Sequence, residues 1–426
     1  MFAMMLLITC GSGRSAEQRN LSTEEVPQCT HASGRYGRTY VSADGERIAT
    51  VRGTDVLMLG KDCSVIWSLP FQPASSVERF HASRDLERLL LIYHERLGKE
   101  RILLISGSGS ILRTMDIEDP ILSSGTAADY DSSFEFIDWG FISPGGLHIA
   151  FASSVPMDPD YKMALYDATL QPIWVGKPCT HPDTLSISTT NQYVTCNLSI
   201  YNPAGEKLFQ PALPYTEYNP DPPANPGVVP VYAAFAGDES TVAFSYVSYD
   251  RATLTSLFSL ELWTTGGQKL WNRNVDAFEI DLSTDGSRVF AKGPDGVLAY
   301  DRQGNLLWSF RPAYEASSVH DDQMAVASDG SIVAAVLRPM REPVGSGDLV
   351  SGLSSVTADF YVLSGTDGSV ILHQNLGDVG IPKVGLSADG RTFVAAGTTG
   401  IRILDLSQLI LGFGGGNKPG GTGGSK

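Results

Sequence analysis

Asp281-Leu282-Ser283-Thr284-Asp285-Gly286-Ser287-Arg288-Val289-Phe290, followed by Gly296-Val297-Leu298-Ala299-Tyr300-Asp301 and then Gly304-Asn305-Leu306-Leu307-Trp308, is the stretch that makes the rest of the chain readable. It encodes four short strands. The Ser-x-Asp-Gly element is a tight turn, because its Gly accepts positive φ without a Cβ clash and joins two strands as a hairpin. Asp301 to Gly304 repeats the device for the second hairpin. Between the turns, Val, Ile, Leu and Phe alternate or run together, as half-buried or fully buried strands require.

Aligned on the first turn, copies of this unit fall at Asp44-Gly45, Asp85, Gly145-Gly146, Asn191, Asp238, Asp285-Gly286, Asp329-Gly330 and Asp389-Gly390. Their spacing runs from 41 to 60 residues, which suits a four-stranded blade plus loop insertions. A lone blade has open edges and an unburied face, so such units are stable only when packed side by side around an axis. The expected fold is therefore all-β, a closed β-propeller of about eight four-stranded blades over residues 36–413. Seven blades would follow if one of the weaker copies (Asp85, Asn191, Asp238) is not a blade. Two closures of the ring are open: Leu409 to Phe413 as the last blade's own outer strand, or the segment before Tyr36 as a clasp.

Unit ends carry an aromatic residue: Trp67, Trp174, Phe209, Trp271 and Trp308. With the Leu-Ala-Tyr-Asp-x-x-Gly-x-Leu-Leu-Trp wording, this resembles the PQQ-like propeller repeats, while Ser143 to Phe151 looks like the repeat of the TolB family, a WD40-like propeller. Both resemblances imply the fold and leave function open, since propellers host many activities.

Met1 to Thr9 is almost wholly apolar and leads into Leu7-Ile8-Thr9-Cys10-Gly11, which resembles the lipobox of bacterial lipoproteins, although no Lys or Arg precedes it and Thr9 stands where a smaller residue is usual. The resemblance implies a lipidated Cys10 and an exported, periplasmic or cell-envelope lipoprotein; plain secretion is the alternative. Residues 1–10 read as the signal segment, 11–35 as a linker and 414–426, rich in Gly, as a flexible tail.

A net charge of -16 argues against nucleic acid or anionic lipid as a binding partner. Cys29, Cys63, Cys179 and Cys196 include no CxxC pair, so zinc is not expected. In an oxidising compartment, pairs 29–63 and 179–196 are the local choices; buried free thiols are the alternative.

Long insertions lie at 114–135 and 211–230, between blades, and at 153–162, 246–256 and 338–358, in the middle of blades. In a blade of four antiparallel strands all five positions open on one face of the ring. Insertions gathered on one face of a repeat scaffold build a binding surface. Candidate partner-binding residues are Tyr130, Asp131, Asp158, Asp160, Tyr161, Tyr246, Tyr249, Arg251, His320, Asp321, Arg338 and Arg341, Tyr being well suited to interfaces. The expected function is a non-enzymatic, monomeric scaffold for a protein or glycan, with no cofactor and no metal. No nucleophile elbow, phosphate loop or metalloprotease helix is present in the sequence. The competing reading is a metal-dependent hydrolase or lyase built on His320 and its acidic neighbours at the channel mouth, with His81 and His181 as further channel candidates.

Overall fold

A computed structural model describes residues 28–31, 36–71, 77–94, 100–117, 136–155, 158–179, 184–211, 228–250, 255–294, 296–313, 324–337, 359–375, 383–397, 400–407 and 409. Its first strand, β1 (Gln28–His31), belongs to the last blade. Blade one is β2 (Tyr36–Val41), β3 (Arg47–Arg52), β4 (Asp55–Gly60) and β5 (Val65–Pro70); blade two is β6 (Val77–Ala82), β7 (Arg88–His94), β8 (Glu100–Ser106) and β9 (Ile111–Ile117). Blade three is β10 (Phe136–Ile142), β11 (His148–Val155), β12 (Asp158–Asp167) and β13 (Pro172–Pro178); blade four is β14 (Ser186–Ile187), β15 (Val194–Cys196), β16 (Ser199–Tyr201) and β17 (Lys207–Phe209). Blade five is β18 (Val228–Phe235), β19 (Thr241–Asp250), β20 (Thr255–Thr264) and β21 (Lys269–Arg273); blade six is β22 (Glu279–Leu282), β23 (Arg288–Gly293), β24 (Gly296–Asp301) and β25 (Leu306–Phe310). Blade seven is β26 (Met324–Val326), β27 (Ile332–Leu337), β28 (Asp359–Ser364) and β29 (Val370–Asn375); blade eight is β30 (Lys383–Leu386), β31 (Thr392–Ala396), β32 (Ile401–Asp405) and β1.

Each blade is an antiparallel four-stranded sheet, and the first strands neighbour one another in the order β2, β6, β10, β14, β18, β22, β26, β30 and back to β2. The ring is closed with eight blades. Blade eight settles how: its strand order is β1-β32-β31-β30, with Gln28 opposite Leu404 and His31 opposite Ile401. The clasp is the observed closure, so Gln28–His31 is propeller rather than linker. Leu409 follows a turn in which its N–H donates to the Leu406 carbonyl, and 410–413 lie outside the described residues.

The core lies between blades. Each apolar cluster draws on two neighbouring sheets, as where Phe360 of blade seven stacks on Phe393 of blade eight with ring centroids 3.8 Å apart. Burying one such ring contributes about 1.5–3 kcal/mol. Cys179 and Cys196 form a disulfide with Cα atoms 5.6 Å apart, tying the exit of blade three to the second strand of blade four. Cys63 is also disulfide-bonded.

Candidate functional site

The first turn of every blade carries a residue at positive φ: Gly45, Leu86, Gly146, Asn191, Glu239, Gly286, Gly330 and Gly390. Four of these turns share one hydrogen-bond pattern, seen at Ser42, Ser83, Ser283 and Ser387. Ser42 Oγ–H donates to Asp44 Oδ1 at 2.5 Å, the same carboxylate oxygen accepts the Glu46 N–H, and Ser42 Oγ accepts the Arg47 N–H. The Ser hydroxyl and backbone N–H hold the Asp44 and Asp285 carboxyls below the usual carboxylate range.

These turns also bond to each other around the channel rim. Ala43 N–H donates to the Arg84 carbonyl, Arg84 to Pro144, Asp238 to Thr284, Thr284 to Ser328, Ser328 to Ala388 and Ala388 back to Ala43, at 2.6–3.1 Å. Pro144 has no N–H and ends the run in blade three. Between blades four and five the Glu239 carboxylate takes over, accepting from the Thr190 N–H and, at 2.6 Å, from Thr190 Oγ1–H. Glu239 is itself at positive φ and 8% exposed, a strained placement that its side-chain bonds offset.

A second device staples the rim further out. Trp67 Nε1–H donates to the Gly107 carbonyl, Trp174 to Pro203, Trp271 to Arg302 and Trp308 to Gly365, each the second turn of the next blade. The ring lies on that turn's glycine, so that a Cβ on Gly109, Gly205, Gly304 or Gly368 would come within about 3.0 Å of the indole. Phe209 lies on Gly267 in the same way. One exception is instructive: blade two has Arg113 in place of the aromatic, and the facing turn residue of blade three is Leu170, at φ 59° and buried. The aromatic spacing was visible in the sequence; its contact with the following unit's turn was not read, though the paired Trp and Gly are the signal for it.

Inside the rim the channel opens into cavities of about 280 and 300 Å³ that share Val41, Ala82, Arg84, Asp281, Val326 and Leu386. Arg38 and Lys383 line the first as well. Burial pushes the Asp281 carboxyl up to about 6, against smaller opposing pulls from the Leu282 and Val326 backbone N–H groups and then from Arg84. His81, in β6, is 5% exposed, and both ring nitrogens are engaged: Arg38 Nη1–H donates to Nε2 at 2.7 Å, and Nδ1 meets the Tyr40 hydroxyl at 2.9 Å. Since Arg can only donate, Nδ1 carries the proton and donates to Tyr40, whose hydroxyl donates to the Phe80 carbonyl at 3.1 Å. Burial first, then Arg38, holds His81 well below its ordinary value. A neutral histidine with both nitrogens used, packed against Tyr40 and Phe141 of the neighbouring blades, is a fixed structural residue.

The opposite face of the ring carries the long links. They are 118–135 and 210–227 between blades, and 338–358 between β27 and β28. Two segments expected as loops are instead long hairpins: Val155 pairs with Asp158 in β11–β12, and Asp250 pairs with Thr255 in β19–β20.

Tyr246 is the main correction among the candidate residues. It lies in β19, is 4% exposed and donates from its hydroxyl to Glu261 Oε1 at 3.1 Å. Glu261 also accepts from Trp263 Nε1, Lys269 Nζ and Asn272 Nδ2 at 2.6–3.1 Å, and burial pushes the Tyr246 hydroxyl up to about 12. The period-two pattern of Val242, Phe244 and Tyr246, all buried against blade four, continues the strand into the supposed loop, so Tyr246 serves the interior and not a partner. Asp158, Asp160, Tyr161 and Tyr249 stand in strands β12 and β19, with side chains outside the described residues. Cys10, Tyr130, Asp131, Arg251, His181, His320, Asp321, Arg338 and Arg341 also lie outside them. Among the described residues no three His, Cys, Asp or Glu side chains gather as metal ligands, and no helix is long and apolar enough to cross a membrane.

No family model matches this sequence. No curated protein matches it either. Solved structures with similar folds include the C-terminal WD40 domain of Sif2, with TM-score 0.55, 11% identity, 88% of this chain and 97% of that one covered. Another is the β-propeller domain of Cps50 (Swd1) from Myceliophteria thermophila, with TM-score 0.49, 12% identity and coverage of 89% and 100%. The likeness to the WD40 domain is one of fold, and the chain is an eight-bladed β-propeller of WD40-like architecture.

Proposed function

We propose that this propeller is a non-enzymatic cell-envelope scaffold that binds a protein or glycan through its link face. The observation that carries the reading is the one-sided distribution of long connections: 118–135, 210–227 and 338–358, with the extended β11–β12 and β19–β20 hairpins, all open opposite the short bonded turns. Short turns with saturated backbone groups offer a partner little, whereas long links supply adaptable contacts.

The course of β1 adds support. Gln28 pairs with Leu404 at the turn-face end of blade eight, so the preceding chain arrives from the turn face. An anchor at Cys10 would therefore tether the propeller from its turn face.

Affinity capture from envelope extracts tests the reading, with intact protein set against a variant whose 338–358 link is shortened. Loss of a recovered partner is expected; equal recovery from both overturns the role of that link.

A further inference from the structure

Seven blade junctions can be compared with the eighth, the one that closes the ring. In five of them the fourth strand sets an aromatic on a turn glycine of the next blade: Trp67 on Gly109, Trp174 on Gly205, Phe209 on Gly267, Trp271 on Gly304 and Trp308 on Gly368. The aromatic has a fixed register. Trp67 pairs with Met58, Trp174 with Leu165, Phe209 with Ile200, Trp271 with Leu262 and Trp308 with Ala299, in each case two residues before the turn begins.

At the closing junction the same register position in β1 is Cys29, paired with Ile403, two residues before Asp405. The position of the turn glycine in blade one is Cys63, at φ 63°. Cys63 is disulfide-bonded, and Cys179 and Cys196 are bonded to each other. Of the five cysteines in the chain, this leaves Cys10 and Cys29 as partners. Cys63 packs against the cluster holding Ile401 and Ile403, the residues to which β1 pairs. The side chain of Cys29 lies outside the described residues, so its backbone register carries the assignment.

We infer that Cys63 is joined to Cys29, a covalent bond standing where an aromatic–glycine contact stands at five other junctions, and that the ring closure is thereby reducible. The substitution has a physical reason. β1 is only four residues long and reaches its blade from the far end of the chain. Such a strand lacks the hairpin that holds every other fourth strand in place, and a cross-link restores what the missing turn would have supplied. A dithiol would open it in two exchanges. Its first thiolate attacks one cysteine sulfur, releasing the other cysteine as a thiolate and forming a mixed disulfide; its second thiolate attacks the reductant's own sulfur in that mixed disulfide and expels the remaining cysteine as a thiolate. The reductant leaves oxidised, and the two cysteines gain two electrons and two protons. Cys63 is partly exposed, while Cys179 and Cys196 are fully buried, so reduction reaches the clasp first.

The inference is independent of what the link face binds. The direct test is a protease digest of the full chain, alkylated without reductant and read by mass spectrometry. A peptide pair joined through Cys29 and Cys63 is expected; a Cys10–Cys63 pair, or alkylated Cys63, overturns the assignment. Amide exchange tests the consequence. In Cys29→Ser, or in native protein treated with a dithiol, the β1 amides should exchange on the order of 100-fold faster, the effect expected of a typical disulfide. The dithiol should add nothing to the variant at β1. Unchanged β1 exchange in Cys29→Ser would refute the latch, and the digest remains decisive if that variant fails to fold.

Discussion

The two faces of the ring use the same strands and differ only in what joins them. On the turn face the connections are four to six residues long and carry their own internal bonds, and most are tied to a neighbour by backbone donors, Glu239 or an indole N–H. On the link face the connections run to about twenty residues at 118–135, 210–227 and 338–358. A rigid rim frees the other side to vary, because blade spacing is fixed without help from the links. The comparison teaches that blade spacing is secured on one face alone, which under the proposed function leaves the other to recognition, and it can be broken by substitutions on each side.

The largest effect belongs to the staple. Trp308→Ala removes a ring that is 7% exposed, together with its bond to Gly365, and should lower unfolding free energy by about 3–5 kcal/mol. Denaturant titration against Arg113→Ala, at a junction without an aromatic, reads the contrast; equal losses would show that the indole is not the holding element. Next comes Glu239→Gly. It relieves positive φ but deletes both bonds to Thr190, for a net loss of about 1–3 kcal/mol, measurable as a lowered midpoint with an unchanged m-value.

Asp281→Asn sharpens the comparison through pH. The folded pKa of about 6 lies above the unfolded carboxyl value, so the folded state binds the extra proton between about pH 4 and 6. Stability from this group is present below that window and is lost as pH rises through it. The Asn variant should flatten that decline and be more stable at neutral pH by roughly 1–2 kcal/mol, the channel being open to solvent. Asp44 and Asp285 act in the opposite sense: their depressed pKa values contribute stability that is lost on acidification below about pH 4. A wild-type profile that is flat from pH 4 to 6 would remove Asp281 from this account. The smallest effect is expected on the link face, where halving 338–358 should move stability by about 0.6 kcal/mol, even as it abolishes partner capture.

The sequence announced the turn face because tight turns leave a local trace. Ser283-Thr284-Asp285-Gly286 needs its Ser, its Asp and its Gly for reasons confined to a few residues. Where the trace fades, another force has replaced it: Glu239 bonds a neighbouring blade, and Leu86 packs into the core at the same φ. Closure by β1 was one of two open readings, since pairing residue 28 with residue 404 leaves no local mark. Tyr246 was misplaced for a related reason. A buried tyrosine answering Glu261 is indistinguishable in sequence from an exposed one near a loop, and only the period-two run of Val242 and Phe244 before it points inward.

The clasp also orders events in time. β1 is among the first parts of the propeller to leave the ribosome, yet its pairing strand β32 is among the last. A growing chain must therefore carry an unsatisfied strand until β32 has been made, and blade eight cannot form before then. Slow assembly of the final sheet, after the other seven have packed, follows from that single long-range pairing.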